Sequence, residues 1–200
     1  MQFLLDQLVG IVVGGILILA IVGFNFQMNS ASYDKFAQST IQQSSISTLE
    51  VIEYDFYRIG YRIAADKISF ADSTTIEFKT DLITNVYPEG DGNEDVIKYY
   101  LGEKSDLNST PNPEDVPLYR KVNTLQPEMI GTVTTFTIVY HDNLGNELAY
   151  STLTDSVGRE SIKRIGLQFT FESPQKFDGR YQRFEIEKLI SPKNLTLTRI

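Results

Sequence analysis

The sequence has no cysteine, a single histidine, no proline before Pro88, no glycine between Gly23 and Gly60, and no lysine or arginine before Lys35. Each absence excludes something. Without thiols there is no disulfide framework, no thiolate metal site and no cysteine nucleophile. With His141 as the one imidazole, a Ser-His-Asp arrangement could be built only through that residue, which sits where a strand meets a turn. No Gly-x-Ser-x-Gly elbow or Gly-x-x-x-x-Gly-Lys phosphate loop occurs. A non-enzyme with no small-molecule substrate is expected. The formal charge is −8 with no run of Lys or Arg, so the basic footprint of a nucleic-acid partner is missing. The lack of helix breakers over the first 59 positions, apart from glycines inside an apolar run, permits one long helix.

The apolar run is the sharpest feature present. Residues 8–24 carry no charge and no side-chain amide, and Phe3, Leu4 and Leu5 extend the run past Asp6 and Gln7. At about 1.5 Å per residue, positions 3–26 reach roughly 36 Å, enough for a ~30 Å hydrocarbon core. The run is longer than an ordinary signal-peptide core, and no small-x-small cleavage site follows it. An uncleaved single-pass anchor is therefore expected. Positive charge ordinarily marks the cytoplasmic flank, and here it lies only after the span, at Lys35. A removed basic leader ahead of Met1 would resolve this and place the main domain outside the cytoplasm.

Residues 27–47 are rich in Ser, Gln, Asn and Thr, and read as a solvated or partner-facing stalk that includes Ser39 and Ser45. Ile46, Leu49, Ile52, Phe56, Ile59 and Ile63 then recur at spacings of three and four, an amphipathic stripe that must bury. After Asp66 the pattern changes to period two, with β-branched and aromatic residues. Strands are expected at 74–80, 96–101, 118–122, 133–141, 165–171 and 181–190, with a hairpin over 139–150 turning at Asp142 to Gly145. The expected fold class is α+β: a long N-terminal helix, half transmembrane and half amphipathic, packed on an antiparallel β-sheet domain. Its divisions are 1–26 for the span, 27–65 for the helical stalk and spine, and 66–200 for the β-rich domain.

Two local patterns invite a site. In 89–95 the oxygens of Asp91, Asn93 and Asp95 alternate along a glycine-containing loop and could converge on calcium, although the distal bidentate Glu of an EF-hand is lacking. A solvated acidic loop tip is the plainer reading. Gly10 and Gly14, four apart in the span, form a small-xxx-small face suited to close helix contact.

Taken together, these features resemble the type IV pilin superfamily, most closely the minor pilins and minor pseudopilins of the PilW and GspJ type. The resemblance is carried by the half-membrane, half-spine helix and by Glu53-Tyr54-Asp55-Phe56-Tyr57-Arg58-Ile59-Gly60-Tyr61 at its end. It continues in Phe136-Thr137-Ile138-Val139-Tyr140 with Asp142 and Gly145, in Ile162-Lys163-Arg164-Ile165, and in Lys193-Asn194-Leu195. It implies a structural subunit of a pilus-like or type II secretion pseudopilus-like filament, assembled through the hydrophobic helix with copies of itself or other pilin-like subunits. The place it implies is the inner membrane with an exported domain, or an extracellular filament. It also implies that Asp6 neutralises the N-terminal amine of Met1 in the same or an adjacent subunit, although Asp6 matches the family's glutamate in neither identity nor spacing. The alternative is a membrane-tethered binding module, such as an adhesin or an accessory subunit of an envelope complex or membrane-containing virion.

Overall fold

The computed structural model describes residues 2–84, 86–107, 110–177 and 179–196. Helix α1 runs unbroken over Gln2–Phe56, so 55 residues make a rod about 80 Å long. It stops nine residues short of the expected end at position 65. Arg58 N–H and Ile59 N–H donate to the carbonyls three residues back, tightening the last turn, and Gly60 N–H turns away to the Lys79 carbonyl. Gly60 has φ +73°, and a Cβ there would meet the Lys67 side chain at 2.6 Å. A left-handed residue at this position ends the helix, and only glycine fits it without strain. Ile59 and Ile63 are buried, but they sit in this turn rather than on the helix.

Eight strands follow among the described residues: β1 (Ile68–Ala71), β2 (Thr75–Thr80), β3 (Asp95–Leu101), β4 (Val116–Val122), β5 (Glu128–Val133), β6 (Thr135–His141), β7 (Arg164–Phe177) and β8 (Arg180–Ile190). Short helices α2 (Ser156–Glu160) and α3 (Lys193–Thr196) and two 3-10 turns, Lys104–Asp106 and Tyr150–Thr152, complete the order among the described residues. Every strand pairing is antiparallel. There are two sheets rather than one, ordered β1-β2-β3-β4-β5 and β6-β7-β8. The stretch 133–141 is accordingly not one strand. The chain changes sheets at Thr134, whose N–H donates to Thr170 on β7. The short β1, four residues with buried ends and only Phe70 exposed, has too little alternation to stand out in the sequence.

Both sheets turn their apolar faces to the helix. Ile76, Phe78, Ile97, Tyr99 and Leu118 from the larger sheet share one core with Ile138, Ile165, Leu167 and Phe169 from the smaller, closed by Ile52 and Phe56 of α1. Phe56 is the keystone, with its ring edge-on to Phe78 at 5.5 Å and to Tyr99 at 5.4 Å. The architecture is thus α+β, a long N-terminal helix packed on antiparallel sheets.

The buried face of the helix departs from the expected stripe. It runs through Ala37, Ile41, Ser45, Thr48, Ile52, Asp55 and Phe56, the same helical period but passing through Ser45 and Thr48. Ile46, expected to be buried, lies about 100° around the helix from Ser45 and is 50% exposed. Leu49 packs against the core from its margin. The solvated stalk is correspondingly shorter than 27–47. Ser45 is fully buried, and its hydroxyl donates to the Ile41 carbonyl. Thr48 Oγ1 donates to the Ile130 carbonyl at 3.0 Å, and a Cβ on Gly131 would stand 2.5 Å from that oxygen. Small residues on both sides let the helix and β5 approach closely.

Candidate functional site: the exposed helix and its junction with the sheets

From Asp6 to Phe36 the helix touches little of its own domain. Its 18-residue apolar window is 0% buried, and it is the one helix long and apolar enough to cross a membrane among the described residues. Isoleucines, valines and leucines point outward on all sides of it. Tyr33 and Phe36 carry the apolar surface beyond the run itself and are 65% and 73% exposed. So much apolar area exposed by a folded chain calls for lipid or other apolar surfaces around it. A Cβ added at Gly10 or Gly14 would meet nothing within 4 Å, so that small face is open to a neighbour. Asp6 lies on the exposed helix surface. Its expected partner, Met1, falls outside the described residues.

The lower end of the rod is fastened by a buried polar group. Asp55 sits in the last turn of α1, where the helix dipole disfavours a carboxylate, and it is 2% exposed. Arg120 of β4 compensates with Nε to Oδ2 at 2.6 Å and Nη2 to Oδ1 at 3.3 Å, while the Tyr99 hydroxyl donates to Oδ2 at 2.6 Å. Burial, joined by the Asp55 charge, holds the Tyr99 hydroxyl protonated well above the usual tyrosine range. For Arg120, burial works against the charge, and the Asp55 hydrogen bond and charge more than offset it, so its pKa is raised. Sequence reading caught Phe56 but not this triad. Asp55 follows an apolar pattern only as an interruption, and its partners lie 44 and 65 residues away.

Around the acidic loop, the carboxylates that converge are Asp81, Asp91 and Asp95, with oxygens within 4.8 Å of one another. Asn93 donates to Asp91 from both its side-chain amide and its backbone N–H. Those bonds, the side-chain one first, lower the Asp91 pKa. Asp81, which the spacing pattern had not included, is buried, paired with Arg62 Nε at 3.3 Å and accepting from Gly92 N–H. Asp95 accepts from Leu82 N–H and from the Asn123 amide. Arg62 supplies a positive charge on the Asp81 side of the cluster.

His141 borders the turn as expected. It bridges to Glu147, and no side-chain hydrogen bond reaches its ring among the described residues. Asp142 caps the turn, accepting from Leu144 N–H, Asn146 N–H and the Asn146 amide.

No protein-family model matches the chain, and no curated protein matches it. Among solved structures, it is similar to a type IV-like pilin from Thermus thermophilus, with a TM-score of 0.49 and 11% identity over 78% of this chain and 98% of that one.

Proposed function

We propose that this protein is a structural subunit of a pilus-like or pseudopilus-like filament, anchored in and assembled through its N-terminal helix, with the β domain held outside. The observation that carries this reading is the uninterrupted helix, whose first half is apolar and unburied while its second half is the spine of the domain core. A simple tether needs only lipid compatibility and no rigid link to its cargo. Here span and core are one rod, which fixes the domain relative to the span as repeated packing of identical units requires. The open face at Gly10 and Gly14 suits helix-to-helix contact once lipid is left behind.

Asp6, the only charged side chain before Asp34, takes a register role in this reading. In a bundle of helices its carboxylate would be desolvated and would need a cation, which the Met1 amine of the same or an adjacent subunit supplies. Negative-stain microscopy of the full-length protein tests the reading: regular fibres are expected, whereas discrete particles would favour the tethered binding module. Asp6→Ala should insert in membranes as well as wild type yet form few or short fibres, and Asp6→Glu should restore part of the assembly. Normal fibres from Asp6→Ala would remove the pairing while leaving the filament itself standing.

A further inference from the structure

Because the buried residues of both sheets face the helix, the alternate residues of both sheets face away from it. On the five-stranded sheet the register aligns Glu77, Lys98 and Lys121 across β2, β3 and β4, with Tyr100, Tyr119 and Met129 in the next row. Lys98 and Lys121 are directly opposite one another, a like-charge pair that weakens a sheet standing alone. Lys79 at the border is neutralised by Glu94 at 2.7 Å, and Glu77 accepts from the Ser69 hydroxyl. Lys121 makes no ion pair among the described residues. On the three-stranded sheet, the register aligns Thr135, Thr170 and Glu185 in one row and Thr137, Gln168 and Glu187 in the next. Glu185 and Glu187 are both exposed. Arg183 at the end of this face is shared between Glu172 and Glu185, while Glu187 receives only the Gln168 amide.

Each outward face thus carries a charge without an ion-pair partner among the described residues, Lys121 beside Lys98 on one sheet and Glu187 beside Glu185 on the other, and both faces are turned away from α1. We propose that these faces form a reciprocal contact between two copies of this chain. The Lys98 and Lys121 face of each molecule docks on the Glu185 and Glu187 face of the other about a two-fold axis near the Thr134 junction. Complementary charge then pairs Lys121 of each copy with Glu187 of the other, and Tyr100, Tyr119 and Met129 meet the threonine-rich surface between. The arrangement goes beyond the filament reading, because it leaves every helix free and so joins domains belonging to different filaments, side to side.

The absence of native cysteine makes the test clean. Full-length Lys121→Cys and Glu187→Cys proteins in detergent are oxidised alone and mixed. The reciprocal contact predicts a covalent dimer that is several-fold enriched in the mixture over either variant alone and is lost at high ionic strength. A second arm uses the Lys98→Glu/Lys121→Glu and Glu185→Lys/Glu187→Lys double variants. Each alone should lose association in sedimentation, and mixing the two should restore it. Equal cross-linking in mixed and single samples, no cross-link at all, or failure of the mixed charge variants to associate would each overturn the proposal. These outcomes are independent of fibre formation. A mixed-variant dimer without fibres sinks the filament reading alone, and fibres without the dimer sink this contact alone.

Discussion

Tyr99 and Tyr140 show how much a single hydroxyl can govern in this core. Both are fully buried and hydrogen-bonded, Tyr99 to Asp55 and Tyr140 to the Asp72 carbonyl. Burial, first, raises both pKa values. The unfolded chain releases these protons near pH 10, whereas the folded chain retains them. Stability is therefore complete below about pH 10 and falls as the pH rises beyond it, by up to about 1.4 kcal/mol per pH unit for each tyrosine. Denaturant titrations between pH 9 and 11 should show this fall, and Tyr99→Phe should make it shallower. An unchanged slope would mean that Tyr99 is not the titrating group. Asp55 carries the complementary prediction. Arg120→Ala strands a buried carboxylate and should cost about 3 kcal/mol, whereas Asp55→Asn, which keeps a partner for the Tyr99 hydroxyl, should cost less. Equal losses in the two variants would argue against charge as the reason.

At the scale of elements, the seam between α1 and β5 depends on what is small. Gly131→Val should push into Thr48, and Ser45→Leu should overpack the same seam, each destabilising by about 1–3 kcal/mol in thermal melts. Phe56→Ala, which empties the centre of the core, should cost about 4 kcal/mol. Equal stability of Ser45→Leu and wild type would show that the seam is looser than described. These same residues explain what could be read in advance. Ile52 and Phe56 announce the buried face through their size and period, and the strands of 96–101 and 181–190 through their alternation. Ser45, Thr48 and Ala37 give no such signal, because periodicity is counted in apolar residues and a close approach is made by residues that are merely small. The helix end was misplaced for a related reason: Ile59 and Ile63 continue the spacing, so the stripe runs on while Gly60 has already turned the backbone left-handed. The division into two sheets was hidden at Thr134, a single β-prone residue between two β-prone runs. Of the acidic loop, Asp91 and Asp95 were legible, whereas Asp81 joins them only through the fold.

For the whole molecule, the separation between exposed and packed halves of α1 implies that folding and assembly are separable. A variant lacking residues 1–26 should keep its circular dichroism spectrum and cooperative melt while losing membrane association and fibres, since the buried helix residues begin at Ala37. Loss of the melt would show that the span takes part in the core.

The rod has a mechanical meaning as well. Between Gly23 and Gly60 it contains no glycine or proline at which a helix readily bends, so tension on the apolar end is carried to the domain. There the load meets a grip distributed from Ala37 to Phe56, about five turns, and held at its far end by Asp55. Pulled along its axis, such a helix must slide past both sheets at once, breaking its contacts together instead of one after another. The domain is therefore seated like a handle on a shaft, most resistant to force in the direction from which a membrane or a growing fibre would pull.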